Sequence, residues 1–250
     1  YSSIRNNGCE IVSNPLRRTA DTYKMDFDAL ERCAADPRTK VMLLCNPHNP
    51  AGRVWTPDEL TRLGNICLRN GVTVVADEIH CELVYQGFKY TPFASLSDAF
   101  LHRSVTCVSP SKAFNIAGLQ IANIVAFDND LRSRIDKAIN INEVCDVNPF
   151  GVAATIAAYN EGEECLNQLV DYLHGNYEAM AEFCRRELAE FPITRLEGTY
   201  LVWTAAALAC RRMRLSMLFW TTPAYGSMPA RCMVPKAKAT CGGTSLVRAA

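Results

Sequence analysis

No apolar run in this chain approaches the roughly 20 residues that a membrane-spanning helix needs, so no membrane association is expected. The opening residues, Tyr1-Ser2-Ser3-Ile4-Arg5-Asn6-Asn7, lack the apolar stretch of a secretion signal and an initiator Met, so the chain is expected to begin inside a longer protein. No Cys-x-x-Cys pair occurs among its twelve cysteines, which speaks against a zinc site or a disulfide framework. Most of them sit in apolar runs (Cys45, Cys107) or helix-like patterns (Cys67, Cys184), as reduced core residues of a cytoplasmic protein do. The histidines His48, His80, His102 and His174 show no metal-ligand spacing, so no metal is expected. Acidic residues are absent from Thr204 onward, although seven basic ones lie there: Arg211, Arg212, Arg214, Arg231, Lys236, Lys238 and Arg248. The formal net charge of zero therefore hides an acidic body, in which 19 basic residues face 26 acidic ones. What remains is ordinary for a soluble globular protein: 250 residues, 49% apolar and 21% charged, enough for one large domain or two small ones.

The periodicity predicts a short helix over 27–35 and a buried strand over 41–45. Thr56-Pro57-Asp58-Glu59 combines a capping hydroxyl, Pro at the first helical position and Glu three residues after the cap, and starts a helix that Gly71 stops. Strands follow over 72–76, 104–108 and 121–127, then a helix over 128–141. Apolar strands that do not alternate, separated by helices, indicate an α/β fold with a mostly parallel sheet covered on both faces. Past Pro149 the pattern turns helical, over about 150–159 and 162–190, which suggests passage into a smaller second domain.

In open α/β sheets ligands bind at the carboxyl ends of strands, and the polar clusters fall there. Asn46-Pro47-His48-Asn49-Pro50-Ala51-Gly52 follows the first of these strands, Asp77-Glu78-Ile79-His80 ends the second, and Ser109-Pro110-Ser111-Lys112 ends the third. One Lys, one Asp and one Asn converging at strand ends suit a pyridinium aldehyde cofactor. The amine bonds the aldehyde, and the carboxylate keeps the ring nitrogen protonated so that the ring can act as an electron sink.

These segments resemble the fold-type I superfamily of pyridoxal-phosphate (PLP) enzymes that contains the class I/II aminotransferases, and within it the cystathionine β-lyase-like C–S lyases. The first run is similar to the family's N-P-x-N-P-[TA]-G and the second to its D-E-[IV]-[HY]. Ser109 to Leu119 is similar to its S-x-S-K-[TA]-F-N-[IL]-A-G-L, and order and spacing agree over about residues 1–203. The resemblance implies that Lys112 carries the cofactor and removes the substrate Cα proton, and that Asp77 pairs with the ring nitrogen. It implies that Asn49 donates to the ring's phenolic oxygen and that Ser109 contacts the phosphate. His80 stands near that oxygen, where many aminotransferases have Tyr, and Gln120 stands where they place a phosphate-binding Arg. Both departures favour the lyase subgroup; His48, His102 and His174 are read as structural or solvent-facing.

The reaction so implied is β-elimination from an amino-acid substrate such as cystathionine, giving a thiol, pyruvate and ammonia. Transamination would use the same residues, and an inert fragment is a further alternative. The family likeness also implies a homodimer for the intact protein.

The likeness stops after Gly198-Thr199-Tyr200-Leu201-Val202-Trp203. Read one frame over, the codon junctions at Trp220-Thr221, Met228-Pro229 and Met233-Val234 give Asp, Ala and Gly without freedom of choice. With suitable wobble bases, Trp220 to Ala250 reads as a family-like string containing R-x-N-I-A-C-P. A frameshift near Thr204 is the favoured reading, against a genuine basic interaction tail, which would show aromatic interleaving if it bound nucleic acid. The expected organisation is thus 1–145 as part of the large cofactor domain, 146–203 as the start of the small domain, and 204–250 as an out-of-frame tail. The arginine that grips the substrate α-carboxylate, by family likeness, lies in that R-x-N segment and is not encoded in frame. About 110–130 residues are expected to be missing at the start by the same comparison, including a phosphate-binding loop and residues lent across the dimer interface, so a normal catalytic cycle is not expected.

Overall fold

Two early helix starts in this chain are made by side chains, close to where the sequence places them. In the computed structural model, which describes residues 2–143, 146–189, 191–204 and 244–249, Asp26 caps helix α2 (Phe27–Ala34) by accepting from Ala29 N at 3.0 Å. Helix α3 (Pro57–Arg69) opens on a complete capping box: Thr56 Oγ1 accepts from Glu59 N, and the Glu59 carboxylate accepts from Thr56 N at 2.9 Å. Its apolar positions Leu60, Leu63, Ile66 and Cys67 recur at helical spacing and are all buried.

The N-terminal stretch holds α1 (Ser2–Asn6), β1 (Cys9–Asn14) and a small hairpin of β2 (Arg17–Arg18) and β3 (Tyr23–Lys24). The central strands are β4 (Thr39–Cys45), β5 (Thr73–Asp77), β6 (Ser104–Val108) and β7 (Asn123–Val125), with α4 (Asp98–His102) between β5 and β6. Then come α5 (Asn129–Asn140), α6 (Pro149–Glu161), α7 (Glu163–Glu187) and a last strand, β8 (Thr244–Ala249). The sheet order is β1-β8-β4-β5-β6-β7. β4, β5 and β6 are parallel neighbours, while β7 and β8 run against theirs.

Two boundaries differ from expectation for visible reasons. The second central strand starts at Thr73 and not at Val72, because Val72 N is still bonded to Cys67 O at the end of α3; it ends at Asp77, which still pairs with Cys45 and Cys107. The strand expected over 121–127 shortens to Asn123–Val125. Ile121 O accepts from Ser109 Oγ, and Ala126 O accepts from Arg132, so neither end joins the ladder.

Met42, Leu44, Val74 and Ala76 form the core with Leu30, Leu60, Leu63 and Phe100 from α2, α3 and α4. The opposite face, carrying Val41, Leu43 and Val75, is half-buried, so the full cover expected on both faces is seen on one among the described residues. β8 is a strand that the sequence did not indicate; it buries Leu246, and Arg248 reaches Asp36 at 2.7 Å. The rest of the expected out-of-frame tail, 205–243 and 250, lies outside the described residues. After α7 the chain returns to the β2–β3 hairpin: Arg195 N donates to Asp21 O, and Trp203 Nε1 donates to Tyr23 Oη at 3.1 Å.

Candidate active site

In a parallel sheet, residues in register point to the same face. Cys45 pairs with Asp77, and Asp77 with Cys107, so the Asp77 carboxylate stands between two thiols on the half-buried face, at the carboxyl ends of β4, β5 and β6. Burial holds both thiols protonated: Cys45 is pushed up to about 11, and Cys107 is raised, with Asp77 adding repulsion in each case. Asp77 itself is exposed and accepts one hydrogen bond, from Ile79 N at 3.3 Å.

The loop after β4 is folded on itself by His48 N to Arg53 O and Gly52 N to His48 O. Gly52 has φ +68°, and a Cβ there would meet Leu196 Cδ1 at 2.5 Å, so the loop needs glycine at that point. Asn49 is thereby placed over the end of β5, where its Nδ2 lies 3.3 Å from His80 Nε2. An amide nitrogen only donates, so Nε2 accepts and the His80 proton sits on Nδ1. Nδ1 is buried and has no partner among the described residues. Burial lowers the imidazole pKa, with Asp77 acting the other way and Lys112 adding to the decrease.

Lys112 follows β6 in a turn closed by Phe114 N to Pro110 O, and its half-buried side chain has no hydrogen bond or ion pair among the described residues. Ser109 is brought to the same strand end but is engaged otherwise. Its hydroxyl donates to Ile121 O at 2.6 Å and accepts from Ser111 N at 3.1 Å, so its only O–H is already spent. The phosphate contact expected of Ser109 is therefore not available as an O–H donation in this arrangement. Gln120 is exposed and left-handed, at φ +52°. His102 and His174 make ring contacts with Phe127 and Tyr85, neither of them a candidate site residue. A groove of about 550 Å³ between α2 and α3, lined by Phe27, Glu31, Arg62 and Ile66 among others, contains none of the candidate residues.

Three supporting residues escaped the sequence reading. Glu78 is fully buried and accepts from Asn46 Nδ2 at 3.1 Å, Phe93 N at 2.9 Å and the Tyr90 hydroxyl. It ties the β4 loop to the β5 end, and burial raises its pKa against the pull of those donors. Glu197, also buried, accepts from Val54 N at 2.9 Å and pairs with Arg195 at 2.8 Å, locking the 195–199 segment to the same loop. Tyr200, next along that segment, sets its ring edge-on to His80 with centroids 5.5 Å apart. Glu78 lies within the quoted D-E-I-H run, so adjacency to Asp77 was a usable signal; Tyr200 lies in the last run that carries the likeness, but nothing local tied it to His80.

An open carboxylate, an uncommitted amine and an amide with one N–H unspent, beside an orphaned buried imidazole nitrogen, fit the ring nitrogen, aldehyde and phenolic oxygen of PLP. The sequence matches the family described as aminotransferase class I and II over residues 1–219. It is 42% identical to cystathionine beta-lyase PatB of Bacillus subtilis (strain 168) over 203 residues, 81% of this chain and 52% of that protein. Among solved structures, PLP-bound C–S lyase from Staphylococcus hominis is similar at 32% identity and a TM-score of 0.78, covering 95% of this chain and 59% of the other. Cystalysin from Treponema denticola, which contains PLP, is similar at 28% identity and a TM-score of 0.81, covering 94% and 59%. The chain spans about half the length of the curated relatives it matches.

Proposed function

The chain belongs to the class I and II aminotransferase family, and on that premise we propose that it holds PLP at the ends of β4, β5 and β6 for a carbon–sulfur β-elimination. The observation that carries this reading is the convergence of Asn49, Asp77 and Lys112 at three adjacent strand ends, with Asp77 in the central one. PLP supplies, when bound, an aldehyde carbon for an amine and a ring that draws electrons from a substrate Cα.

Each side chain then has one task. Lys112 would hold the aldehyde, and its amine would serve as the base for the substrate Cα proton. Asp77 keeps the proton on the ring nitrogen, and its exposure lets it face a ligand. Asn49 spends one N–H on His80 Nε2 and has the other for the phenolic oxygen. The raised pKa values of Cys45 and Cys107 keep neutral groups beside the Asp77 carboxylate, so its charge is not opposed by a thiolate at neutral pH. His80, in the place of the tyrosine of many aminotransferases, supports elimination over transamination, with cysteine-derived thioethers as the substrate class. A homodimer of the complete protein belongs to the same proposal; the exposed apolar side chains Val125, Phe127, Phe150 and Ile156 support it.

The purified chain mixed with PLP should develop a visible absorbance band that borohydride bleaches, and Lys112→Ala should abolish it. No band in the wild-type chain would favour an inert fragment. In an intact copy of the protein, pyruvate released from cystathionine without added keto acid marks the lyase, whereas product that depends on a keto acid marks a transaminase.

A further inference from the structure

His80 is held from two sides. Asn49 meets its Nε2 from the β4 loop, and Tyr200 covers its ring from the segment that follows Glu197. Tyr200 reaches that place through an unusual backbone. Thr199 adopts φ +68°, the left-handed region that a β-branched side chain ordinarily avoids. It is fully buried and pinned there: its N–H donates to Leu83 O at 2.8 Å, its carbonyl accepts from the Tyr85 hydroxyl at 2.6 Å, and Leu201 N donates to its hydroxyl. Strain of this kind persists where the surroundings over-determine it, and it gathers at functional sites. What it delivers here is the Tyr200 ring, 39% exposed, set at 75° against His80.

We propose that Tyr200 is a positioning residue of the cofactor site, fixing the His80 ring against Asn49 so that the free Asn49 N–H points to the ligand, with Thr199 as the backbone element that delivers it. This rests on the reading of Asn49 and Lys112 as cofactor residues. The groups that face His80 are the Asp77 carboxylate from β5, the Lys112 amine from β6, the Tyr200 hydroxyl-bearing ring and the uncharged Asn49 amide. Of these, Tyr200 is the one that acts by excluding water. Without its ring, His80 gains solvent, takes up a proton more readily, and as an imidazolium can no longer accept from Asn49.

The test uses the whole chain labelled with 15N-histidine, first without cofactor, with the His80 signals assigned by their loss in His80→Gln. The wild-type chain should show His80 neutral with its proton on Nδ1, titrating below its ordinary value of 6.5. Tyr200→Phe should leave this unchanged. Tyr200→Ala should raise the titration midpoint by at least about half a pH unit and shift the proton toward Nε2. With PLP, Tyr200→Ala should weaken binding several-fold, Tyr200→Phe by less than twofold, and Tyr200→Ala with Asn49→Ala no more than Asn49→Ala alone. Far-UV circular dichroism checks that the partly exposed position tolerates alanine; if it does not, Tyr200→Leu, which keeps apolar bulk without the ring, should give the same His80 shifts in milder form. An unmoved His80 midpoint and tautomer in a folded Tyr200→Ala chain overturns the proposal. Expected His80 shifts with no cofactor band in the wild-type chain overturn the cofactor reading, and the positioning role with it, while leaving a structural Tyr200–His80 pair.

Discussion

At the scale of single side chains, burial favours the neutral forms of both His80 and Glu78, lowering one pKa and raising the other. Burial depresses the His80 pKa below its ordinary 6.5, so the folded state prefers the neutral ring. Its contribution to stability is therefore full above that ordinary value and is lost as pH falls through the folded one, because the unfolded chain binds the proton more tightly. Urea unfolding between about pH 7.5 and pH 5.5 should show stability falling toward acid, and the fall should be shallower in His80→Gln. Glu78 is different, since three donors converge on a buried carboxylate. Glu78→Ala strands all three, and a loss of about 3 kcal/mol in denaturant unfolding is expected. Glu78→Gln keeps an acceptor oxygen and should lose less.

Elements in this fold depend on a few close approaches as much as on propensity. α3 passes Phe100 of α4 at Gly64, where an added Cβ would lie 2.5–2.8 Å from the phenyl ring. That ring is buried and stacked on Phe93 with centroids 5.2 Å apart, so it has little room to yield. Gly64→Ala gains about 1 kcal/mol of helix propensity but meets an overpacking cost of about 1–3 kcal/mol. A net lowering of the thermal midpoint is expected, and a rise would show that Phe100 can move. At the start of the same helix, Thr56→Ala removes one half of the capping box and should cost about 1 kcal/mol in denaturant unfolding.

For the molecule as a whole, the exposed apolar residues gather away from the core. β7 is an edge strand with Ile124 and Val125 about half exposed, and α6 leaves Phe150 and Ile156 largely open. An uncovered apolar edge templates association. Val125→Lys should therefore delay light scattering on heating while changing stability by no more than about 0.5 kcal/mol. The charge asymmetry is also a property of the whole chain. Since every acidic residue precedes Thr204, sequencing the gene across codon 204 is expected to reveal a change of frame; an unbroken family frame through the present tail would refute it.

The sequence by itself determined the chemistry-bearing loops. Each motif is continuous in the chain and sits at the end of an apolar run, so Asn49, Asp77 and Lys112 could be located without coordinates, as could the cap of α3 at Thr56. Tertiary structure alone decided which atoms are spent and which are free. Ser109 gives its hydroxyl to Ile121, twelve residues on, a choice that no local pattern encodes. Tyr200 and His80 lie 120 residues apart, and only the return of the chain through Glu197 and the left-handed Thr199 brings them together. The same holds for β8, whose place between β1 and β4 comes from partners nearly the full length of the chain away. The physical reason is common to all three: spacing along the chain fixes local conformation, whereas hydrogen-bond and ring partners are chosen by whichever groups packing brings within about 3–6 Å.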